Sequence, residues 1–160
     1  MRVYNLTTKE HALSNLKNKR LKISKLDELN DPYELLGIQL PDKEIRKAFK
    51  NTRHELSLKY GLLCFSRFWI NPVLWSHYGD KHYGIALGFD IPDDKLEEIN
   101  YVPSLLSANY HSWFSEGAEA LMNKLMRQKY IDWQYEQGRM VRTPSDPRSQ
   151  NRVYRGRQSE

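Results

Sequence analysis

Residues 61–90, GLLCFSRFWINPVLWSHYGDKHYGIALGFD, decide the fold prediction for this chain. The apolar run at 62–65 is typical of a buried strand that ends at Ser66, and 85–89 is the next strand-like run. Asn71-Pro72 indicates a turn, and a loop that carries Trp75-Ser76-His77-Tyr78 connects the two strands. Polar aromatic side chains are costly to bury without hydrogen-bond partners, so we expect this loop to line a cleft.

The residues before this stretch predict two strands and two helices. Residues 3–6 and the alternating residues 21–24 are strand-like, and a capping-box pattern, Thr7 followed by Glu10, starts a short helix between them. The residues at 30–32, Asn-Asp-Pro, predict a turn. Asp42 is the expected N-cap of the second helix, whose apolar stripe ends at Leu56.

The residues after this stretch predict further helices and short strands. We expect one or two helical turns after Pro92, a short strand at Tyr101-Val102, a third helix over about 115–131 and a last strand over 133–141. Strands and helices mix without a regular β-α-β alternation. The predicted fold is therefore a single α+β domain with a mostly antiparallel sheet and about three helices.

The positive charge of the chain is concentrated near its C-terminal end. The formal net charge is +5, and residues 139–160 hold six Arg and two acidic residues. Residues 143–160 show no apolar periodicity, so we predict a domain over 1–142 followed by an Arg-rich, disordered tail. Such a tail is most often a solvated terminus, although it can also hold the phosphates of a nucleic acid or nucleotide.

The composition excludes several classes of protein. Cys64 is the only cysteine among 160 residues, which excludes an internal disulfide framework and a cysteine-rich zinc site. Because Cys64 lies in an apolar run, the sequence favours a buried, unreactive thiol over a nucleophile. No apolar run approaches ~18 residues and no apolar signal region follows Met1, so we expect a cytoplasmic protein without a membrane partner.

The candidate chemistry depends on His77 and Glu136, because the chain has neither a phosphate-binding glycine loop nor metal-ligand spacing. We therefore expect no bound metal. His77 is either a general base or a structural imidazole that ties its loop to the sheet. In a strand, Glu136 would lie on the face opposite Trp133 and Tyr135. There it would either stabilise a cationic transition state or be an ordinary surface carboxylate.

Four segments of the chain form an ordered set of motifs: 30–34 (NDPYE), 64–66 (CFS), 75–85 (WSHYGDKHYGI) and 129–136 (KYIDWQYE). This set is similar, in the same order, to the motifs of a bacterial domain-of-unknown-function family, family 2971. The chain resembles this family from its N-terminus to about Arg139. The resemblance implies a role in bacterial defence against phage, including abortive infection, and it implies no particular chemistry.

The resemblance has one departure that bears on catalysis. Members of the family usually carry a second acidic residue two positions after the first, and Gly138 stands there in this chain. Members also usually continue with further strands, whereas this chain continues into its Arg-rich segment. The chain is thus similar to a shortened or diverged member, and the missing carboxylate favours a catalytically silent one.

The opening of the chain also resembles the opening of DNA-modifying ADP-ribosyltransferase toxins. Tyr4-Asn5-Leu6-Thr7, followed by Leu13, Leu16 and Leu21, carries this resemblance, with Asn5 where the toxins usually have His. It implies NAD as the cofactor, Tyr4, Asn5, Ser66 and Tyr78 as residues that bind it, and Glu136 as a catalytic residue. From their place beside Tyr78 in the segment 75–78, we add His77 as a second catalytic residue and Trp75 as a further cofactor-binding residue.

Two hypotheses follow for the function. The first is an NAD-dependent, ADP-ribosyltransferase-like activity in bacterial defence or toxin biology. The alternative is a catalytically silent module that binds a nucleotide or a nucleic acid. Both predict that residues 75–84 and Glu136 line one cleft.

Overall fold

A computed structural model of the chain describes residues 1–25, 38–39, 43–104, 106–107, 118–144 and 153–154. The α-helices in this part are α1 (Lys9–Asn18), α2 (Lys43–Lys59), α3 (Pro72–Tyr78) and α4 (Ala118–Leu125). Short 3-10 helices lie at Asp93–Lys95 and Ile131–Glu136. The strands are β1 (Arg2–Thr7), β2 (Leu21–Lys22), β3 (Ser24–Lys25), β4 (Ile38–Gln39), β5 (Tyr60–Ser66), β6 (Ile85–Asp90), β7 (Glu97–Glu98), β8 (Asn100–Val102), β9 (Leu106–Ser107), β10 (Gln128–Tyr130), β11 (Gly138–Pro144) and β12 (Val153–Tyr154).

Six strands form one antiparallel sheet in the order β6-β1-β5-β11-β7, with β3 also paired to β5. β5 is central, and β11 pairs along its whole length, from Gly138 opposite Ser66 to Pro144 opposite Tyr60. The other edge of β5 is shared between β1, which pairs Tyr4 with Ser66, and β3, which pairs Ser24 with Leu62. The fold is α+β with a mostly antiparallel sheet, which confirms the predicted class.

Both faces of the sheet are covered where β5 and β11 meet. One face carries a hydrophobic cluster that Val3, Leu21, Ile23, Leu63 and Phe65 form, with Phe89, Ile91, Leu96 and Val141 packed against it. On β5 and β11 side chains alternate, so Leu62 and Met140 lie on the opposite face, and both are about 1 % exposed. α2 contacts β5 and α4.

Several predicted local patterns are shifted by tertiary pairing. Thr7 is the last residue of β1, opposite Ile85, so Thr8 rather than Thr7 caps α1 and accepts from the His11 backbone N–H at 3.3 Å. The predicted strand at 21–24 is split into β2 and β3, and Ile23 lies between them in the hydrophobic cluster. The helix predicted before β5 is α2, and its Leu56 is buried.

Two predictions close to the candidate site are wrong. The segment predicted as a loop is the short helix α3, because Asn71 accepts from the Val73 backbone N–H at 2.9 Å and Pro72 begins the helix. The predicted strand over 133–141 begins only at Gly138. Before it, Ile131–Glu136 is a 3-10 helix that ends at Gln137, whose φ of 44° is left-handed.

The remaining boundaries differ by several residues. The helix predicted after Pro92 is one 3-10 turn before β7, and the helix predicted over 115–131 ends at Leu125, since Gln128–Tyr130 pairs with Asn100–Val102. That pairing confirms the strand predicted at Tyr101-Val102. The boundary predicted after residue 142 falls inside β11, and Val153–Tyr154 pairs with Leu21–Lys22.

Two predictions lie outside the described residues, and the predicted burial of Cys64 is wrong. The turn at 30–32 and the N-cap at Asp42 fall on residues that the structure does not describe. Cys64 was predicted to be buried, but its side chain is exposed on β5. Cys64 shares its face of β5 with the buried Leu62 and Ser66 and is exposed nonetheless, so an apolar run in sequence does not by itself bury every member.

Candidate functional site

The buried carboxylate of Glu136 is the centre of the candidate site. Its Oε1 accepts from the Tyr78 hydroxyl at 2.6 Å, and its Oε2 lies 2.7 Å from the Lys129 ammonium nitrogen. The Glu136 side chain is 7 % exposed and that of Lys129 is 13 % exposed, so water screens this ion pair weakly. The site therefore joins a carboxylate, an ammonium and a phenol in one buried contact.

Three separate elements supply these side chains. Tyr78 is the last residue of α3, Lys129 is the central residue of β10, and Glu136 ends the 3-10 helix. Residues 131–136 form a 3-10 helix instead of the predicted strand, and in this helix the Glu136 side chain is buried. Glu136 is thus a buried ion-pair partner, and the alternative of a surface carboxylate is excluded.

The phenol of Tyr78 stays protonated across the ordinary pH range. Burial, together with the negative charge of Glu136, raises the pKa of Tyr78 well above its ordinary value, although the nearby Lys129 opposes the shift. A protonated phenol can donate to Glu136, as the short oxygen–oxygen distance requires. Burial likewise raises the pKa of Tyr101 and, next to Glu136, of Tyr135.

Ser66 contacts the backbone of Glu136. It ends β5, is buried, and donates its hydroxyl to the backbone carbonyl of Glu136. The next residue, Arg67, donates its backbone N–H to the Gln137 carbonyl at 3.2 Å. The end of β5 thus fixes the position of Glu136 through backbone contacts, and the hydroxyl of Ser66 is engaged within the protein.

An aromatic group lies next to the ion pair. The ring of His77 lies 5.5 Å from Trp133 and 6.4 Å from Tyr135, and these two rings are 5.9 Å apart. The Lys129 ammonium lies 5.6 Å from the centre of a Trp133 ring, within reach of a cation–π contact. His77 is exposed and the other two rings are half-buried, so this group presents aromatic surface to solvent beside a cation.

Tyr4 and Asn5, both predicted to bind the cofactor, lie on opposite faces of β1. Tyr4 pairs directly with Ser66 and shares its face, whereas Asn5 lies on the Val3 side. The Asn5 amide donates to the Cys64 carbonyl at 3.3 Å. The two residues therefore cannot contact one small ligand from the same side of the sheet, and Asn5 has a structural contact.

The Trp75 side chain contacts Trp69, in the loop that precedes α3. Its indole N–H donates to the Trp69 carbonyl at 2.6 Å, and the two indole rings meet edge to face at 6.5 Å. Of the residues predicted for the site, the structure thus brings together Ser66, His77, Tyr78 and Glu136. Trp75 supports the loop before α3 instead.

Gly138, where the resembling family has an acidic residue, has no room for a side chain. A Cβ added there would lie 2.9 Å from Cγ1 of Ile99 and 3.1 Å from the Tyr101 hydroxyl oxygen. That hydroxyl accepts from the Gly138 backbone N–H at 2.7 Å. Ile99 and Tyr101 therefore occupy the space that an acidic side chain at position 138 would need.

Replacing Gly138 by Asp is expected to lower the free energy of unfolding by about 2 kcal/mol, because the new side chain overpacks Ile99 and Tyr101. Chemical denaturation measures the change. Gln137→Asp is the control, since it adds the same charge at an exposed neighbouring position. Equal stability of the two variants would contradict the packing seen at Gly138.

Lys129 and Tyr101 are the site residues that sequence reasoning missed. Lys129 stands in one of the four segments shared with family 2971, but a lysine in a short polar strand is commonly a surface residue. Tyr101 was placed correctly in a strand, yet nothing local indicates that its hydroxyl meets Gly138. The one signal that could have pointed to Lys129 is that a buried Glu136 requires a cationic partner.

No protein-family model, curated protein or solved structure matches this chain. The resemblance to family 2971 and the fainter one to ADP-ribosyltransferase toxins stay predictions. In the part of the chain that the structure describes, no helix is long and apolar enough to cross a membrane. The same residues contain no cluster of three or more His, Cys, Asp or Glu side chains arranged to hold a metal ion.

Proposed function

We propose that the chain is a nucleotide-binding module, with NAD as the first ligand to test, that does not turn its ligand over. The observation that carries this proposal is the buried contact of Glu136 with both Tyr78 and Lys129, beside the exposed His77 ring and the half-buried Trp133 ring. Aromatic surface beside this contact suits a ligand that has a flat ring, as a nucleotide has.

The ion pair favours binding over catalysis. A glutamate that stabilises a cationic transition state acts through its uncompensated negative charge. Here the Lys129 ammonium, 2.7 Å away in a weakly screened setting, offsets that charge before any ligand arrives. The absence of space for a second carboxylate at Gly138 supports the same conclusion.

ADP-ribosyl transfer is the second candidate, and one observation favours it. Ser66 and Tyr78, which the toxin resemblance assigns to the cofactor site, both contact Glu136, the residue it assigns to catalysis. Turnover through this site would require Lys129 to leave Glu136. The exposed imidazole of His77, which directly precedes Tyr78, would then be the candidate general base.

The biological setting is also part of the proposal. Membership of family 2971, with a role in bacterial defence, is supported by four segments in the family order. A cytoplasmic location is supported by the single cysteine. A nucleic acid is the alternative ligand, supported by the six Arg at residues 139–160.

Calorimetry with NAD tests the proposed function. We expect sub-millimolar binding, about −4 to −6 kcal/mol, and no release of nicotinamide. Trp133→Ala is expected to weaken binding about fivefold or more, since it removes stacking surface worth about 1 kcal/mol. Tyr83→Ala is the matched control, because Tyr83 is 83 % exposed and lies outside the aromatic group.

Three outcomes separate the candidates. Binding without turnover supports the binding module. Binding with nicotinamide release that Trp133→Ala also weakens supports the transferase. No binding at millimolar NAD overturns both uses of NAD, and binding of an oligonucleotide that weakens steeply with salt would then assign the chain to the nucleic-acid alternative.

A further inference from the structure

We propose that residues 67–73, the loop after β5 together with the first two residues of α3, dock onto an anionic lipid surface. Four apolar side chains of this segment, here called the apolar loop patch, face solvent. Phe68 is 46 % exposed, Trp69 47 %, Ile70 72 % and Val73 41 %. Contiguous exposed apolar side chains mark an interaction surface, whereas single ones are ordinary. This proposal is independent of the nucleotide site.

The loop is held in a fixed shape that keeps these side chains outward. The Trp75 indole N–H donates to the Trp69 carbonyl at 2.6 Å, and the two indole rings pack edge to face. Asn71 caps α3, and Leu74, the helix residue that turns inward, is 2 % exposed. The patch is therefore presented by a rigid support, so docking would cost little ordering of the loop.

The charge of the loop suits an anionic surface. Arg67 begins it, with its guanidinium 5.3 Å from the Phe68 ring, and no Asp or Glu occurs between Arg67 and Gly79. A cation flanking exposed Phe, Trp and Ile is typical of segments that insert into the boundary between lipid head groups and acyl chains. Such docking needs no membrane-spanning helix.

The size and composition of the patch favour lipid over other partners. With full side-chain surfaces of roughly 150–250 Å², the four residues present on the order of 400 Å². A stable protein dimer buries about 800 Å² on each partner, so this patch alone is too small to hold a second copy. A nucleic acid needs several cations and π-faces, yet the loop has one cation and its most exposed member is Ile70.

Vesicle co-sedimentation with the full chain tests this assignment. The wild-type protein is expected to bind vesicles that contain phosphatidylserine more tightly than vesicles of phosphatidylcholine alone. Ile70→Glu is expected to weaken binding to both by about tenfold or more, because it removes an exposed apolar side chain that docking would bury. Arg67→Gln is expected to weaken binding about fivefold to the anionic vesicles only.

Leu16→Glu is the matched control. Leu16 on α1 is 61 % exposed, so the variant adds the same charge to an exposed leucine on another element, and vesicle binding should be unchanged. Melting temperatures check that the variants fold. The proposal is overturned if wild-type protein binds neither vesicle, or if Leu16→Glu weakens binding as much as Ile70→Glu. It is also overturned if Ile70→Glu instead abolishes self-association or oligonucleotide binding.

Discussion

Replacing Lys129 by Met is expected to lower the free energy of unfolding by about 3–5 kcal/mol, because it leaves the Glu136 carboxylate buried without its cation. The Tyr78 hydroxyl stays bonded to Glu136, but a neutral donor does not replace a charge. At this chain length the loss corresponds to a fall in Tm of roughly 10 °C. Denaturant unfolding followed by tryptophan fluorescence measures it.

Two variants make this result specific. Arg2→Met removes an exposed ion pair with Asp90, so its Tm should stay close to that of the wild type. Lys129→Met combined with Glu136→Leu removes both buried charges and should recover much of the loss. If Lys129→Met unfolds like Arg2→Met, the ion pair is not buried as the structure has it.

Replacing Gly84 by Ala is the second substitution with a large expected effect, a loss of about 3 kcal/mol of unfolding free energy. The new Cβ would collide with the Thr7 carbonyl oxygen and lie 2.8 Å from the carbonyl carbon of Gly79. Both are backbone atoms, so no change of rotamer relieves the contact. Gly84 also donates to the Gly79 carbonyl at 2.7 Å, which closes the turn after α3.

The turn that Gly84 closes is already strained. Asp80, Lys81 and His82 all have positive φ, from 49° to 73°, a conformation that costs non-glycine residues of order 1 kcal/mol or more each. This tight turn between α3 and β6 lets Tyr78 contact Glu136 and lets β6 begin at Ile85, opposite Thr7. Gly84→Ala should therefore also weaken ligand binding at the site.

Gly88→Ala is the matched control for Gly84→Ala. A Cβ at Gly88 would lie 3.4 Å from the Tyr4 ring, an ordinary van der Waals distance, so its effect should be below about 1 kcal/mol. Circular dichroism melts of the two variants give the comparison. Similar melting temperatures would contradict the close backbone packing of Gly84 against Thr7 and Gly79.

The fold class was predictable because it depends on local periodicity. The apolar run of β5, the strand-like run of β6 and the helical stripe before Tyr60 each predict one element without reference to the rest of the chain. An irregular order of strands and helices then indicates an antiparallel sheet, which the structure confirms. These signals arise within about ten residues of each other and need no tertiary partner.

The errors fall where an element is decided by its neighbours. The aromatic alternation at 133–137 resembles a strand, but Gln137 adopts a left-handed conformation and the chain enters β11 only at Gly138. Thr7 has the features of an N-cap, yet pairing with Ile85 keeps it in β1. In both cases a hydrogen bond to a distant segment outweighs a local preference.

The sequence by itself determined the class of fold and the positions of β1, β5 and β6, and it singled out Tyr78 and Glu136 as candidate site residues. Only the tertiary structure decided what those residues do. Tyr78 and Glu136 are 58 residues apart, and Lys129 meets Glu136 because a 3-10 helix, rather than a strand, separates them. A buried charge requires an opposite charge within contact distance, and which lysine supplies it depends on how the elements pack, which local pattern does not encode.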